Sequence, residues 1–321
     1  MNKVQYICIF ILVITFLIVI LKTKTNENFY SKKIISNNLP SDRFISLIEN
    51  TNFNDIDAEQ FNKNEDGDLI DGMIGSNETP KLLYLAGKSV RKDSVVVEYG
   101  CWFGKSSRAV ALGLKENYKN NFFVFDLFKM IDNPNNILLK KNKVKKNQSF
   151  IHIFNRNVKQ LYPKTKTYEG WITEKSNSNI WKKPVDLFLM DCAKDLDNFK
   201  IQMINLADSL RIGSIIVLCD FSWPLSTYSQ PAIVYSILRN NLKMIYFSPE
   251  TSHFFFKVTS ELDKKKIKDF KFKNYSKEYF KKIFSDVVKD IIFLSKKYKL
   301  NSERKTKTIN KQLQHLLKKE F

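Results

Sequence analysis

The chain has 321 residues, with 53 lysines and arginines against 33 aspartates and glutamates, which gives a formal net charge of +20. Its 43% of hydrophobic residues excludes a wholly disordered chain, and its nine glycines and eight prolines exclude a collagen-like one. The four cysteines form no C-x-x-C pair, so they predict free thiols rather than a disulfide scaffold or a zinc ribbon.

An apolar run near the N-terminus predicts a membrane anchor. Residues 4–21 carry no charge, lie between Lys3 and Lys22, and meet the lower limit of length for a helix that spans a bilayer. A Lys-Thr-Lys-Thr-Asn-Glu sequence follows at once, where a cleaved signal peptide would need small residues, so we expect an uncleaved anchor. More lysines follow the run than precede it, which predicts a single-pass protein whose main domain is cytoplasmic.

The next segment, residues 22–67, is rich in Asn, Lys, Ser and Asp and contains only short apolar patches such as residues 44–48. This composition predicts a polar stem with one helix.

Residues 68–260 alternate short apolar strands with amphipathic helices. Continuous apolar strands of this kind are buried on both faces, so the pattern predicts a Rossmann-like, doubly wound α/β fold with a mostly parallel sheet of seven strands. A tight Ser-Pro-Glu-Thr-Ser turn joins the last two strands, so we expect the last strand to be antiparallel. The predicted strands are 95–98, 122–126, 166–170, 185–190, 214–219, 243–248 and 253–259, and the predicted helices include 105–117, 143–161, 197–210 and 229–240.

The turn after the first predicted strand reads Glu-Tyr-Gly-Cys-Trp-Phe-Gly-Lys-Ser from residue 98 and leads into a helix. Its two glycines allow a tight main-chain turn, and the helix N-terminus offers free N–H groups to a ligand. A phosphate-binding P-loop would need glycine where Tyr99 stands, and the dinucleotide fingerprint would need glycine at Trp102 and Lys105. Neither motif fits, which leaves a glycine-rich turn without a ligand or a binding loop of another kind.

From residue 71 to residue 259 the chain resembles the class I S-adenosylmethionine-dependent methyltransferases. The acidic-x-Gly-x-x-x-Gly-x-Ser turn carries this likeness, and a Gly-Met-Ile segment in residues 72–84 is similar to that of small-molecule O-methyltransferases. The resemblance implies that the turn lies at the methionine part of the cofactor, with the glycines making room for it. The cofactor-binding residues implied in the turn are Glu98, Gly100, Gly104 and Ser106.

A second landmark is Asp126, at the end of the predicted strand 122–126. A carboxylate at such a strand end can accept two hydrogen bonds from the vicinal hydroxyls of a ribose. The resemblance implies that Asp126 binds the ribose of S-adenosylmethionine, and capping of the following turn is the alternative role.

Two later strands also end in an aspartate, at Asp191 and Asp220. In the metal-dependent O-methyltransferases that the chain resembles, these positions bind a divalent cation, and a lysine three residues after the first aspartate acts as a base. Lys194 stands at that position, which implies catalytic roles for Asp191 and Lys194. Phe221 replaces the asparagine that would complete the metal site, so a Mg²⁺ site at Asp191 and Asp220 is left open. Without a metal, Asp191 is the better candidate base.

Residues 261–321 form a basic, helical C-terminal extension outside the resemblance. They contain about 11 of the 20 net positive charges, and we expect them to pack on the preceding domain or to pair with a partner. Nucleic acid is not the expected partner, because no Pro-Pro motif of nucleic-acid methyltransferases follows the fourth strand.

The sequence therefore predicts a membrane-anchored S-adenosylmethionine-dependent methyltransferase that acts on a hydroxyl group of a small molecule or glycan. A catalytically silent, membrane-tethered interaction domain with the same fold is the alternative. The chain has three histidines, His152, His253 and His315, and all of them lie away from every motif. This predicts chemistry that does not depend on histidine.

Overall fold

The computed structural model describes residues 39–116, 119–129, 141–173, 180–223 and 227–321. The predicted anchor at residues 4–21 lies outside these ranges. Within them, no helix has both the length and the apolar character that crossing a bilayer requires.

A seven-stranded sheet lies at the centre of the described chain. Its strands are β1 Val95–Tyr99, β2 Asn121–Asp126, β3 Thr165–Glu169, β4 Val185–Met190, β5 Leu210–Leu218, β6 Leu242–Phe247 and β7 Phe254–Val258. The spatial order is β3-β2-β1-β4-β5-β7-β6, with β1 to β5 parallel and β7 antiparallel to both of its neighbours. The connection between β6 and β7 is too short for a parallel crossover, which enforces this reversal. The predicted mostly parallel α/β sheet with an antiparallel last strand is confirmed.

Helices cover both faces of this sheet. Along β1, Val95 and Val97 belong to one apolar cluster and Val96 to another, because successive side chains of a strand point to opposite faces. The helices are α1 Pro40–Asn50, α2 Glu59–Asn62, α3 Glu78–Ser89, α4 Lys105–Lys115, α5 Ile151–Phe154, α6 Leu196–Ala207, α7 Ser229–Ser236, α8 Lys264–Asp269, α9 Lys277–Tyr298 and α10 Glu303–Glu320.

The helix predicted at residues 143–161 is shorter than expected. Lys143 and Asn147 have left-handed φ angles of 56° and 60°, which a right-handed helix cannot contain. The helix therefore begins only at Ile151, and a π-helical turn at Asn155–Lys159 continues it.

Part of the predicted polar stem packs against the sheet. Phe44 of α1 and Phe61 of α2 are fully buried, and the ring centroids of Phe44 and Phe255 of β7 lie 5.0 Å apart. Lys257 of β7 also pairs with Asp42 at 2.7 Å. Apolar residues four apart, such as Phe44 and Ile48, form one buried helix face, although the segment as a whole is polar.

The C-terminal extension packs against the same domain. Phe280 and Phe284 of α9 and Leu316 of α10 are fully buried and belong to the apolar cluster that contains Phe188 of β4. This agrees with the first of the two expected roles for the extension. Its lysines mostly occupy the outward faces of these helices, where water solvates them.

Candidate functional site

The carboxyl ends of the central strands meet at one edge of the sheet, and main-chain hydrogen bonds join them. The N–H of Gly100 donates to the carbonyl of Phe125 at 2.8 Å, and the N–H of Asp191 donates to the carbonyl of Tyr99 at 2.8 Å. The N–H of the residue after β5 likewise donates to the carbonyl of the last residue of β4, at 3.0 Å. The four predicted landmarks therefore lie along one edge: Gly100, Asp126, Asp191 and Asp220.

Asp126 binds the turn that follows β1. Its Oδ2 accepts the N–H groups of Cys101 at 2.8 Å and Trp102 at 3.0 Å, and its Oδ1 accepts the N–H of Phe128 at 2.7 Å. Burial raises the pKa of Asp126, and these three N–H groups oppose the rise. The carboxylate has about four acceptor positions, so about one remains for a ribose hydroxyl rather than the two that we expected. The turn-capping alternative is observed.

Glu98 and Ser106 bind each other beneath the turn. The side chain of Glu98 is fully buried and accepts hydrogen bonds from the hydroxyl of Ser106 at 2.6 Å and from that of Ser107. Burial raises the pKa of Glu98 to about 7, although the two hydroxyls oppose this rise. Glu98 thus fastens the end of β1 to the first turn of α4. It has no exposed surface for the cofactor contact that the resemblance implies.

The two glycines of the turn are needed by the protein itself. Both have left-handed φ angles, 82° at Gly100 and 93° at Gly104. A Cβ at Gly100 would lie 2.7 Å from the Cβ of Cys192, and a Cβ at Gly104 would lie 2.6 Å from Cγ2 of Val158. The missing Cβ of each glycine therefore makes room for a side chain of the protein itself.

Trp102 is a residue of the turn whose role the sequence did not settle. Its φ angle of 52° is left-handed, and its ring packs 4.9 Å from that of Phe103 and 5.2 Å from that of Phe150. The buried indole Nε1 has no hydrogen-bond partner among the described residues. An unsatisfied buried donor costs about 1–3 kcal/mol, and strained main chain is typical of ligand sites. The Nε1–H is thus a donor that a bound molecule can satisfy.

Lys194 joins the ends of β4 and β5. Its ammonium donates to the carboxylate of Asp220 and to the main-chain oxygen of Asp191 at 3.2 Å. Burial lowers the pKa of Lys194, but the charges of Asp220 and Asp191 raise it, and the net shift is upward. This differs from the expected role as a base, because an amine with a raised pKa keeps its proton at neutral pH.

Asp191 has the environment of a proton acceptor. Burial and then the charge of Asp220 raise its pKa well above the ordinary value, and Lys194 opposes the rise. A carboxylate whose pKa is raised holds a transferred proton better than an ordinary aspartate.

The donors at this edge do not match a Mg²⁺ site. Mg²⁺ prefers six oxygens in octahedral geometry, whereas Asp191 and Asp220 supply two carboxylates, and the ammonium of Lys194 already pairs with the second. Phe221 is fully buried, with its ring 4.7 Å from that of Phe254, so its position belongs to the core. No three His, Cys, Asp or Glu side chains of the described ranges form a metal-binding group. The geometry therefore does not support the Mg²⁺ site that the sequence left open.

Histidines lie closer to this edge than the sequence indicated. His253 immediately precedes β7 and is buried, its Nδ1 lies 2.7 Å from Oγ1 of Thr251, and its Nε2 has no partner among the described residues. Burial, and then the charges of Lys305 and Lys194, lower its pKa to about 3, so it is neutral. The antiparallel strand β7 brings His253 here, and no strand-end motif in the sequence marks it.

A cavity of about 520 Å³ opens beside Lys194. Its walls come from the start of α6, the segment before α7 and the last turns of α10, and His315 belongs to the last of these. Tyr228 lies in this wall, and its hydroxyl donates to Oε1 of Glu320 at 2.6 Å. Burial, followed by Glu320, raises the pKa of Tyr228, so the phenol stays protonated. Sequence reasoning missed this cavity because its walls lie far apart in the chain.

Several solved structures have folds similar to this one. The O-methyltransferase NovP aligns with a TM-score of 0.44 and 16% identity over 63% of this chain and 88% of NovP. The calicheamicin methyltransferase CalS11 aligns with a TM-score of 0.43 and 13% identity over 68% of this chain and 91% of CalS11. TomG from Streptomyces achromogenes, solved with S-adenosylmethionine, aligns with a TM-score of 0.42 and 14% identity over 63% of this chain and 87% of TomG. No protein-family model and no curated protein matches the chain. Likenesses this distant do not assign an activity.

Proposed function

We propose that the chain is an S-adenosylmethionine-dependent methyltransferase that transfers a methyl group to a hydroxyl oxygen of a small molecule or glycan. The meeting of the β1 turn, Asp126 and Asp191 at one edge of the sheet carries this proposal. Three carboxyl groups and one ammonium lie there, and S-adenosylmethionine has a sulfonium and an ammonium that such an edge stabilises. The four groups belong to Asp126, Asp191, Asp220 and Lys194.

Asp126 and Trp102 are the residues that would hold the cofactor. The remaining acceptor position of Asp126 suits a ribose hydroxyl, and the unsatisfied Nε1–H of Trp102 suits a heteroatom of the adenosyl group. S-Adenosylmethionine supplies an electrophilic methyl group when it is bound. The carboxyl edge of a parallel sheet is also where open α/β folds bind ligands.

Asp191 is the proposed acceptor of the hydroxyl proton. Burial and the charge of Asp220 raise its pKa, so this carboxylate binds a transferred proton more tightly than an ordinary aspartate does. Lys194 keeps its proton, and its ammonium stabilises the negative charge that develops on the acceptor oxygen. The charge of Asp220 raises the pKa of both side chains, which helps Asp191 to accept a proton and Lys194 to keep one.

The proposed enzyme is held at a membrane by residues 4–21, with its main domain in the cytoplasm. The support is the uncharged apolar run and the excess of lysines that follows it. Extraction of cell membranes with alkaline carbonate tests the anchor, because an anchored chain stays in the pellet. Protease digestion of intact cells tests the side, because a cytoplasmic domain is protected.

Isothermal titration of S-adenosylmethionine into the full-length chain in detergent tests the cofactor. We expect one binding site per chain, and a folded chain that shows no binding contradicts the proposal. Incubation of membranes with methyl-labelled cofactor tests the transfer. Retained binding without label in any lipid, glycan, protein or small-molecule fraction instead identifies a catalytically silent domain.

A further inference from the structure

The cavity beside Lys194 is built from two parts of the chain that the sequence keeps apart. One wall belongs to the sheet edge described above, and the other to α10 of the C-terminal extension. We infer that this cavity binds the methyl acceptor, that α10 determines its specificity, and that the acceptor carries a neutral polyhydroxylated ring such as a sugar. The inference rests on the proposed function, which makes Lys194 part of the reaction centre.

The α10 wall is held firmly in place. Gln312 is fully buried, and its side-chain amide donates to the main-chain oxygen of Trp223 at 2.7 Å and to that of Phe221 at 3.2 Å. About two helical turns further on, the hydroxyl of Tyr228 donates a hydrogen bond to Glu320. These bonds tie α10 to the segment that follows β5, so the cavity has a preformed wall rather than a loose tail.

The charges of the cavity disfavour a polyanionic ligand. Three carboxylates line it, from Asp195, Asp197 and Glu320, against the ammonium groups of Lys194 and Lys319. The chain as a whole carries a net charge of +20, yet this cavity has no excess of basic side chains. A nucleic acid or another phosphate-rich molecule would meet repulsion here.

The cavity also combines hydrogen-bonding groups with aromatic surface. The rings of Tyr228 and Phe272 lie 5.5 Å apart, and those of Tyr228 and His315 lie 5.6 Å apart. Carboxylates accept hydrogen bonds from hydroxyl groups and ammonium groups donate to their oxygens, while ring faces pack on C–H bonds. A sugar offers all of these partners, whereas an apolar ring would desolvate the charged side chains without replacing their hydrogen bonds.

Saturation-transfer NMR of the full-length chain in a sugar-free detergent tests the inference. The probes are the methyl glycosides of glucose, galactose, mannose and rhamnose, each titrated without cofactor. We expect at least one probe to receive saturation on its ring protons, and a chain that binds none of them overturns the inference.

Two matched pairs of variants locate the binding. Glu320→Gln and Lys319→Gln, at cavity residues, should each lower the affinity for the glycoside about fivefold or more, because each removes one charge-assisted hydrogen bond. Glu303→Gln and Lys318→Gln change exposed residues of the same helix that do not line the cavity, and should leave affinity unchanged. Equal affinity in all four variants overturns the cavity as the site.

A cofactor titration of the same sample separates this inference from the proposed function. If S-adenosylmethionine binds and no glycoside does, the assignment of the cavity is wrong and the proposed function stands. If a glycoside binds through α10 but S-adenosylmethionine does not bind, the proposed function is wrong, and the cavity is a sugar site without a methyltransferase role.

Discussion

The carboxylate of Asp126 accepts a hydrogen bond from the main-chain N–H of Trp102 at 3.0 Å, so the residue that ends β2 fixes the turn that follows β1. The same oxygen holds the N–H of Cys101 at 2.8 Å. The turn and the carboxylate are therefore one unit, and a change at Asp126 alters the turn and the proposed ribose contact together.

Replacement of Asp126 by asparagine should lower the affinity for S-adenosylmethionine about tenfold or more. Asparagine has one acceptor oxygen, and its NH₂ group cannot accept the N–H groups that now bind the carboxylate. Isothermal titration measures the loss of affinity, and hydrogen exchange should be faster at the amides of Cys101 and Trp102.

Asp269→Asn serves as the control, since Asp269 is exposed at the end of α8. It should change neither measurement. Full affinity in Asp126→Asn, with slow exchange in the turn, would show that this carboxylate does not organise the cofactor site.

Replacement of Lys194 by methionine should lower methyl transfer about 100-fold or more while the affinity for S-adenosylmethionine stays the same. The ammonium opposes the upward pKa shifts of Asp191 and Asp220, so its removal raises both values further. The pH at which activity appears should therefore move upward, which a profile of kcat/KM against pH measures.

Lys264→Met is the matched control, because it removes an exposed ion pair with Asp208 away from the site. Its profile should match that of the unchanged chain. If the Lys194→Met profile keeps the original shape and height, Lys194 has no catalytic role and is only a solvated surface charge.

Methyl transfer should continue after dialysis against EDTA. Three main-chain N–H groups engage Asp126, so among the described residues Asp191 and Asp220 are the carboxylates left at the sheet edge, and the ammonium of Lys194 already pairs with Asp220. Activity assayed before dialysis, after it and after addition of Mg²⁺ should agree within about twofold. Loss of activity that Mg²⁺ alone restores contradicts this interpretation and returns Asp191 and Asp220 to the role of ligands.

The strand-end residues could be predicted from the sequence for a topological reason. Parallel strands place their carboxyl ends at one edge, so apolar runs that end at Asp126 and Asp191 bring those residues together whatever the details of packing. The antiparallel orientation of β7 could be predicted as well, because only a short turn joins β6 to β7.

The partners of these residues could not be predicted in the same way. Glu98 turns inward because Ser106 and Ser107 reach its carboxyl group, and this depends on the rotation of α4 about its axis. The α10 wall depends on contacts between residues about 90 positions apart, such as Tyr228 and Glu320. Periodicity shows which face of a helix is apolar, but not which part of the sheet that face covers.

Replacement of Gly104 by alanine should destabilise the fold by about 2–4 kcal/mol, through left-handed strain and overpacking together. The added Cβ would lie 2.6 Å from Cγ2 of Val158 and 2.9 Å from Cδ2 of Phe154. Gly67→Ala is the matched control, because Gly67 also has a left-handed φ of 83° but nothing within 4 Å of an added Cβ. Urea unfolding should show that Gly67→Ala lowers the free energy of unfolding by about 1 kcal/mol. Equal losses at both sites contradict the packing argument.

The buried carboxyl group of Glu98 should make the folded state less stable as the pH rises from about 5 to 7. Its pKa is about 7 in the folded chain and 4.5 when exposed, so the folded state keeps a proton that the unfolded chain loses. The stabilisation by the neutral carboxyl is therefore fully present below pH 4.5 and is lost as the pH passes 7, a contribution of about 3 kcal/mol. Glu98→Gln has no such proton, so its unfolding free energy in urea should fall less over this interval. Glu303→Gln, at an exposed site, should keep the original pH dependence, and the same dependence in Glu98→Gln would show that Glu98 is ionised in the folded chain.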